Sequence, residues 1–204
     1  MIGGDLTTDA PIDSYLPPSE LVDFRHPLML DYLQSYSRGT KSEEEIVRET
    51  FEFVRDEVAH SWDIQSDRIT AKASDVLMYR EGICYAKSHL LTALLRGMGI
   101  PSGFCYQKLL LFEDPADGYA VHGLTTVYLQ DCRKWIRLDA RGNKPGVDAQ
   151  FSVDDEKLAF PVRRDLGEID YLVNHAEPHP KVVEALTSHQ IARDMYRCGL
   201  PAEL

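Results

Sequence analysis

A helical rhythm of apolar residues begins after Ser42: Ile46, Val47, Thr50, Phe53, Val54 and Val58 follow at the spacing of one helix face. Ser42 with Glu45 three residues on is a capping-box signature, so the helix starts there. Shorter helices are predicted over residues 28–36, ended by Gly39, and from Ser74-Asp75 through Met78. The stretch Ala86 to Leu95 is strongly apolar, and Gly97, Gly99 and Pro101 stop it. Past Pro101 the pattern changes. Residues 104–112, 121–129 and 134–138 are rich in β-branched, aromatic and aliphatic side chains and read as strands. Short strands are expected at 147–153 and 157–162, and a C-terminal helix over 181–197 after Pro178 and Pro180. Residues 59–73 read as irregular. Helices first and strands second predict an α+β fold, with the Ala86–Leu95 helix packed on an antiparallel sheet. Residues 1–41 read as a Pro-bearing arm with a short helix, and 42–204 as one main domain.

Composition narrows the functions. At 204 residues and 44% hydrophobic content, the chain can bury a sizeable core. A net charge of −11 argues against a nucleic-acid backbone or an anionic membrane surface as partner. The first residues, Met1-Ile2-Gly3-Gly4-Asp5, carry no basic leader pattern, and no apolar run reaches membrane-spanning length. Cys84, Cys105, Cys132 and Cys198 are scattered without a Cys-x-x-Cys pair. Free thiols and a cytoplasmic location are the expectation.

Cys84 carries the sharpest chemical signal, because it stands at the head of the apolar helix. The unpaired N–H groups and dipole of a first turn favour a thiolate and can bind an oxyanion. His122 enters one predicted strand and Asp139 leaves the next. Cysteine, histidine and aspartate are the parts of a nucleophilic acyl-transfer site. A two-residue Gln130-Asp131 turn would set His122 directly opposite Asp139 on one face, with Cβ atoms about 5 Å apart. The same register sends Val121, Val127, Leu129, Ile136 and Leu138 to the other face, so twist or a bulge must bring His122 to the helix.

An oxyanion hole would use the Cys84 N–H plus a second donor, for which Trp62, Gln65 and Tyr106 are candidates. Asn143 is a reserve partner for the histidine, and Asp131 reads as turn chemistry. His89 falls on another helix face from Cys84. His175 and His179 are separated by prolines rather than by a helix, so a metal site is not expected there. No phosphate-binding loop, dinucleotide fingerprint or basic aromatic patch occurs.

The run Asp75-Val76-Leu77-Met78-Tyr79-Arg80-Glu81-Gly82-Ile83-Cys84, followed by Ala86, Leu90, Ala93-Leu94-Leu95-Arg96 and Gly99-Ile100-Pro101, resembles the nucleophile motif of the transglutaminase-like superfamily. The resemblance covers roughly residues 42–145. It implies a papain-like core, with Cys84 as nucleophile, His122 as acid/base and Asp139 as its partner. Gly123-Leu124 replaces the family's usual His-x-Trp pattern, and Ala140 replaces the proline after the aspartate. A thiol-dependent enzyme acting on peptide or glutaminyl amide bonds is the expected function, needing no cofactor or metal. The alternatives are an amine-accepting transglutaminase, a non-catalytic binding or scaffolding domain, and, less favoured, an arylamine acetyltransferase. The expected partner is a peptide or protein substrate.

Overall fold

The computed structural model describes residues 6–36, 39–111 and 115–204. The expected helix cap is present: Ser42 Oγ accepts from Glu45 N at 3.2 Å, and Glu45 reaches back to Ser42 N at 2.7 Å. Helix α2, Glu43–Glu57, follows and buries Ile46, Val47, Phe51 and Val54. Helix α1, Pro27–Ser35, precedes it, and α3 spans Ala73–Tyr79. Ser74-Asp75 does not cap α3 as expected. Ser74 lies inside the first turn, and Asp23 accepts from its N–H at 2.9 Å and its hydroxyl at 2.6 Å. The cap comes from 51 residues away, which local pattern cannot show.

Helix α4, Cys84–Gly97, is the axis of the molecule, and every residue from Cys84 to Arg96 is buried. It packs on α2, α3 and the sheet. Among the described residues five strands form that sheet, in the order β1 (Thr7–Thr8), β7 (Ile169–His175), β4 (Ser102–Leu110), β5 (Tyr119–Leu129) and β6 (Lys134–Leu138). The meander of β4, β5 and β6 is antiparallel. Strand β7, which the sequence reading passed over, pairs antiparallel with β4. Strand β1 adds a parallel edge beside β7. Phe112, the last residue of the predicted strand at 104–112, lies outside the described residues. The family-level expectation of an α+β fold holds.

The N-terminal lead-in is built into this body. Tyr15 is fully buried and donates to Asn174 O at 2.8 Å, while Val22 and Met29 join the main core. The guanidinium of Arg96, near the end of α4, donates to Pro17 O at 2.8 Å and Ser102 O at 2.9 Å, and also to Ala176 O. One buried cation therefore ties the lead-in, the start of β4 and the exit of β7 together.

Two other expectations change. Residues 147–153 and 157–162 form no strands, only the isolated bridges Lys144–Val147 and Gln150–Lys157. Their apolar residues Val147, Ala149 and Ala159 gather in a small satellite core instead. The C-terminal helix also breaks: α5 covers Pro180–Thr187, then a helical turn Ala192–Asp194 leads into a π-helical turn, Met195–Gly199. Contacts with a distant segment override helix continuation, since Ala192 N donates to Asp67 O at 3.0 Å and Arg193 grips the Asp67 carboxylate.

Candidate active site

Residues 59–73, read as irregular, begin with an ordered element. Strand β2, Ala59–His60, pairs parallel with β3, Glu81–Gly82, just before α4. Ala59 N donates to Arg80 O at 2.9 Å and Ser61 N to Gly82 O at 3.1 Å. Glycine suits position 82 because a Cβ there would sit 3.0 Å from Thr70 Oγ1 and 3.1 Å from Ala86 Cβ. This tight passage delivers Cys84 to the first turn of α4.

His122 comes from β5 in a register that differs from the expected one. The β5–β6 loop holds four residues, Gln130 to Arg133, with Arg133 at φ 51°, and Thr125 faces Leu138. Asp139, one residue past β6, is therefore diagonal to His122 and not directly opposite. A shift of two residues keeps both on one face, where a shift of one would have parted them. His122 Nε2 and Asp139 Oδ2 lie 2.8 Å apart. Both ladders of β5 run without a break in register, so sheet curl, not a bulge, carries His122 toward the helix. The Cys84 sulfur is close enough to raise the His122 pKa, and with Nε2 on Asp139 the Nδ1 atom is the ring nitrogen left for the sulfur.

Gly123 makes that approach possible. A Cβ on Gly123 would lie 2.9 Å from Tyr85 Cδ1 and 3.4 Å from Tyr85 Cα, so the first turn of α4 rests directly on the strand. Tyr85 also donates to Val121 O. Gly123, the middle residue of the His-x-Trp pattern, thus has a packing reason, and Leu124 stands where that pattern has Trp.

Cys84, His122 and Asp139 are all buried. Burial alone would lower the His122 pKa, but the Asp139 charge, the Cys84 sulfur and the hydrogen bond to Asp139 raise it to about 10. Burial would raise Asp139, yet His122 and the N–H groups of Ala159 (3.0 Å) and Arg141 (3.1 Å) hold it below the usual carboxylate value. The group is arranged for an imidazolium between a sulfur and a carboxylate.

These residues open into a cleft of about 150 Å³ lined mainly by apolar side chains, with His60, Trp62, Arg141, Phe160, Tyr196 and Leu200 around Cys84 and His122. Trp62 and Tyr196 meet edge to face at 4.9 Å and wall one side. Of the other proposed donors, Gln65 sits in a turn at φ 52° with Nε2 bonded to Trp62 O at 2.5 Å. Tyr106 accepts from His179 N at 2.9 Å. Neither borders the cleft. Asn143 clasps the backbone of Ala149 through both amide atoms, away from His122. His89 bonds Ala71 O at 2.7 Å, and burial holds its pKa down to about 4. Among the described residues, no three or more His, Cys, Asp or Glu side chains gather to hold a metal. No helix of the described residues is long and apolar enough to cross a membrane.

A polar network behind the cleft was not foreseen. Arg141 holds Asp63 through two contacts, at 2.6 and 2.9 Å, and Lys144 adds a third at 2.8 Å. Lys87, three residues past Cys84 and fully buried, donates to the carbonyls of Val58, Arg55 (3.3 Å) and Arg141 (3.1 Å). Burial, helped by the Arg141 charge, lowers its pKa to about 7. Lys87 thereby pins the loop that presents Asp139. The usable signal was a lysine inside an otherwise apolar helix, together with the His60–Asp63 run.

The sequence model described as the transglutaminase-like superfamily matches residues 31–140. No curated protein matches the chain. Among solved structures, the chain is similar to a candidate cysteine protease from Cytophaga hutchinsonii, at 21% identity and TM-score 0.48, over 67% of this chain and 46% of that one. It is also similar to the periplasmic domain of TgpA from Pseudomonas aeruginosa, at 16% identity and TM-score 0.42, over 65% of this chain and 48% of that one. The chain spans less than half the length of either structure. With its α+β core and more than half its length matched, the chain belongs to the transglutaminase-like superfamily.

Proposed function

We propose that the protein is a thiol-dependent acyl-transfer enzyme acting on amide bonds of a peptide or glutaminyl side chain. The observation that carries this reading is the buried His122–Asp139 hydrogen bond set beside Cys84 at the start of α4, with the Cys84 sulfur raising the His122 pKa. Cys84 Sγ adds to the amide carbonyl carbon while the carbonyl electrons move onto oxygen. His122, held charged by Asp139, gives its proton to the amine as the C–N bond breaks. Water or an amine then takes the acyl group from sulfur. Water as acceptor makes the protein a hydrolase of protease or amidase type, the reading we favour, and an amine as acceptor makes it a crosslinking enzyme. No step requires a cofactor.

The first test is iodoacetamide labelling read cysteine by cysteine. Cys132 and Cys198 are exposed and Cys84 is buried, so accessibility alone would make Cys84 the slowest of the three. Under this reading Cys84 labels at least about tenfold faster than Cys132, and His122→Ala abolishes the advantage. A Cys84 no faster than Cys132 would sink the proposal in favour of a non-catalytic binding domain. Peptide, glutaminyl and amine substrates would then separate hydrolysis from transfer.

A further inference from the structure

Cys84 N–H can supply one donor to a developing oxyanion, but an oxyanion hole needs a second. Besides Cys84 and His122, four side chains with polar atoms line the cleft, His60, Trp62, Arg141 and Tyr196, and the earlier candidates Gln65 and Tyr106 lie outside it. Arg141 is occupied by Asp63, Gln65 by Trp62 O and Tyr106 by His179 N. His60 differs. It lines the cleft, and its Nδ1 is buried with no hydrogen-bond partner among the described residues. With Nδ1 sealed, Nε2 is the ring nitrogen left to face the cleft. A buried N–H without an acceptor is the rarer defect in proteins, so Nδ1 keeps its lone pair and the proton resides on Nε2. The ladder bonds on either side of His60, from Ala59 N to Arg80 O and Ser61 N to Gly82 O, fix this residue relative to the strand that ends two residues before Cys84.

We propose that His60 is a catalytic residue, the second oxyanion-hole donor, whose Nε2–H hydrogen-bonds to the carbonyl oxygen as Cys84 Sγ attacks. Burial, followed by the charges of Arg141, Lys87 and His122, holds the His60 pKa well below its ordinary value, against the pull of Asp63. The ring therefore stays a neutral donor while His122 is charged. A preorganised donor of this kind acts only where charge develops in the transition state. The inference rests on the thiol acyl-transfer reading, so its test separates the two.

Two reagents make that separation in the full chain. Iodoacetamide alkylates Cys84 by displacement at a saturated carbon and forms no oxyanion. p-Nitrophenyl acetate acetylates it through a tetrahedral intermediate: the C–S bond forms, the carbonyl electrons go onto oxygen, then return as p-nitrophenolate leaves. In His60→Phe, acetylation of Cys84, read by mass spectrometry, should fall about 10²–10³-fold, while iodoacetamide labelling stays within about twofold of wild type. His60→Gln, which restores an N–H, should recover part of the loss, and His60→Ala serves if the Phe variant does not fold. Unchanged acetylation in His60→Phe overturns the inference. An equal fall with both reagents also overturns it, because His60 would then support the thiol or the fold. A wild-type Cys84 inert to both reagents removes the acyl-transfer reading itself, and this inference with it.

Discussion

Two histidines border the same cleft, and their surroundings drive them to opposite charge states. His122 lies 2.8 Å from the Asp139 carboxylate and next to the Cys84 sulfur, and its pKa rises to about 10 despite burial. His60 is held well below its ordinary value, first by burial and then by neighbouring cations. Each has an aspartate nearby. The Asp139 carboxylate is given to His122, with backbone N–H groups completing its shell. The Asp63 carboxylate is given to Arg141 and Lys144 instead. The protonation of a buried histidine here follows from where the nearest carboxylate's hydrogen bonds are directed, more than from burial itself.

The strongest way to break the comparison is to make His122 resemble His60. Asp139→Asn keeps one oxygen, enough for only one of the N–H groups of Arg141 and Ala159, which bond different carboxylate oxygens, and removes the charge that holds the imidazolium. Acetylation of Cys84 should drop about 10³–10⁴-fold, the scale on which such a carboxylate acts. A loss smaller than about tenfold would mean that His122 does not depend on Asp139.

Next in size is the packing that brings the sulfur to His122. Gly123→Val places a branched side chain where even a Cβ lies 2.9 Å from the Tyr85 ring. The expected cost is about 1–3 kcal/mol in urea unfolding, with the rapid labelling of Cys84 lost as α4 lifts from β5. A variant with wild-type stability and labelling would show that the contact is easily relieved.

This contrast also marks how far the sequence is readable. The capping box at Ser42, the buried α4 and the three meander strands follow from local periodicity, and each appears where expected. His122 and Asp139 were paired correctly as to face though not as to register. The loop proved to be four residues long, and a two-residue shift preserves the face. His60 was missed because its role depends on a parallel bridge to residues 81–82 and on Arg141, 81 residues away. The Asp23 cap on α3 and the C-terminal break at Asp67 fail to show in the sequence for the same reason: the deciding partner is remote.

A subtler change should move His60 toward His122. Arg141→Met removes the main partner of Asp63 and leaves that carboxylate freer to act on the His60 ring. The His60 imidazole resonance should then titrate at higher pH than in wild type, followed by NMR of histidine-labelled protein. No displacement would show that Arg141 does not set the state of His60.

The smallest expected effect in the wild type is a cancellation that single variants expose. His122 has a folded pKa of about 10, above its unfolded value of about 6.5. Its stabilisation is therefore complete below about pH 6.5 and is lost as pH rises toward 10. Lys87 runs the other way. Its folded pKa of about 7 lies below the unfolded value of about 10.5, so the unfolded chain binds more protons between them and stability rises with pH across that window. The two slopes oppose each other between about pH 7 and 10, each up to about 1.4 kcal/mol per pH unit. Urea unfolding should then find His122→Gln gaining stability relative to Lys87→Met as pH rises from 7 to 10. Contributions common to both variants, including the raised thiol of Cys105, cancel in that difference. Parallel profiles for the two variants would mean that at least one of these buried groups keeps its ordinary titration, and the opposition of charge states around the cleft would lose its thermodynamic support.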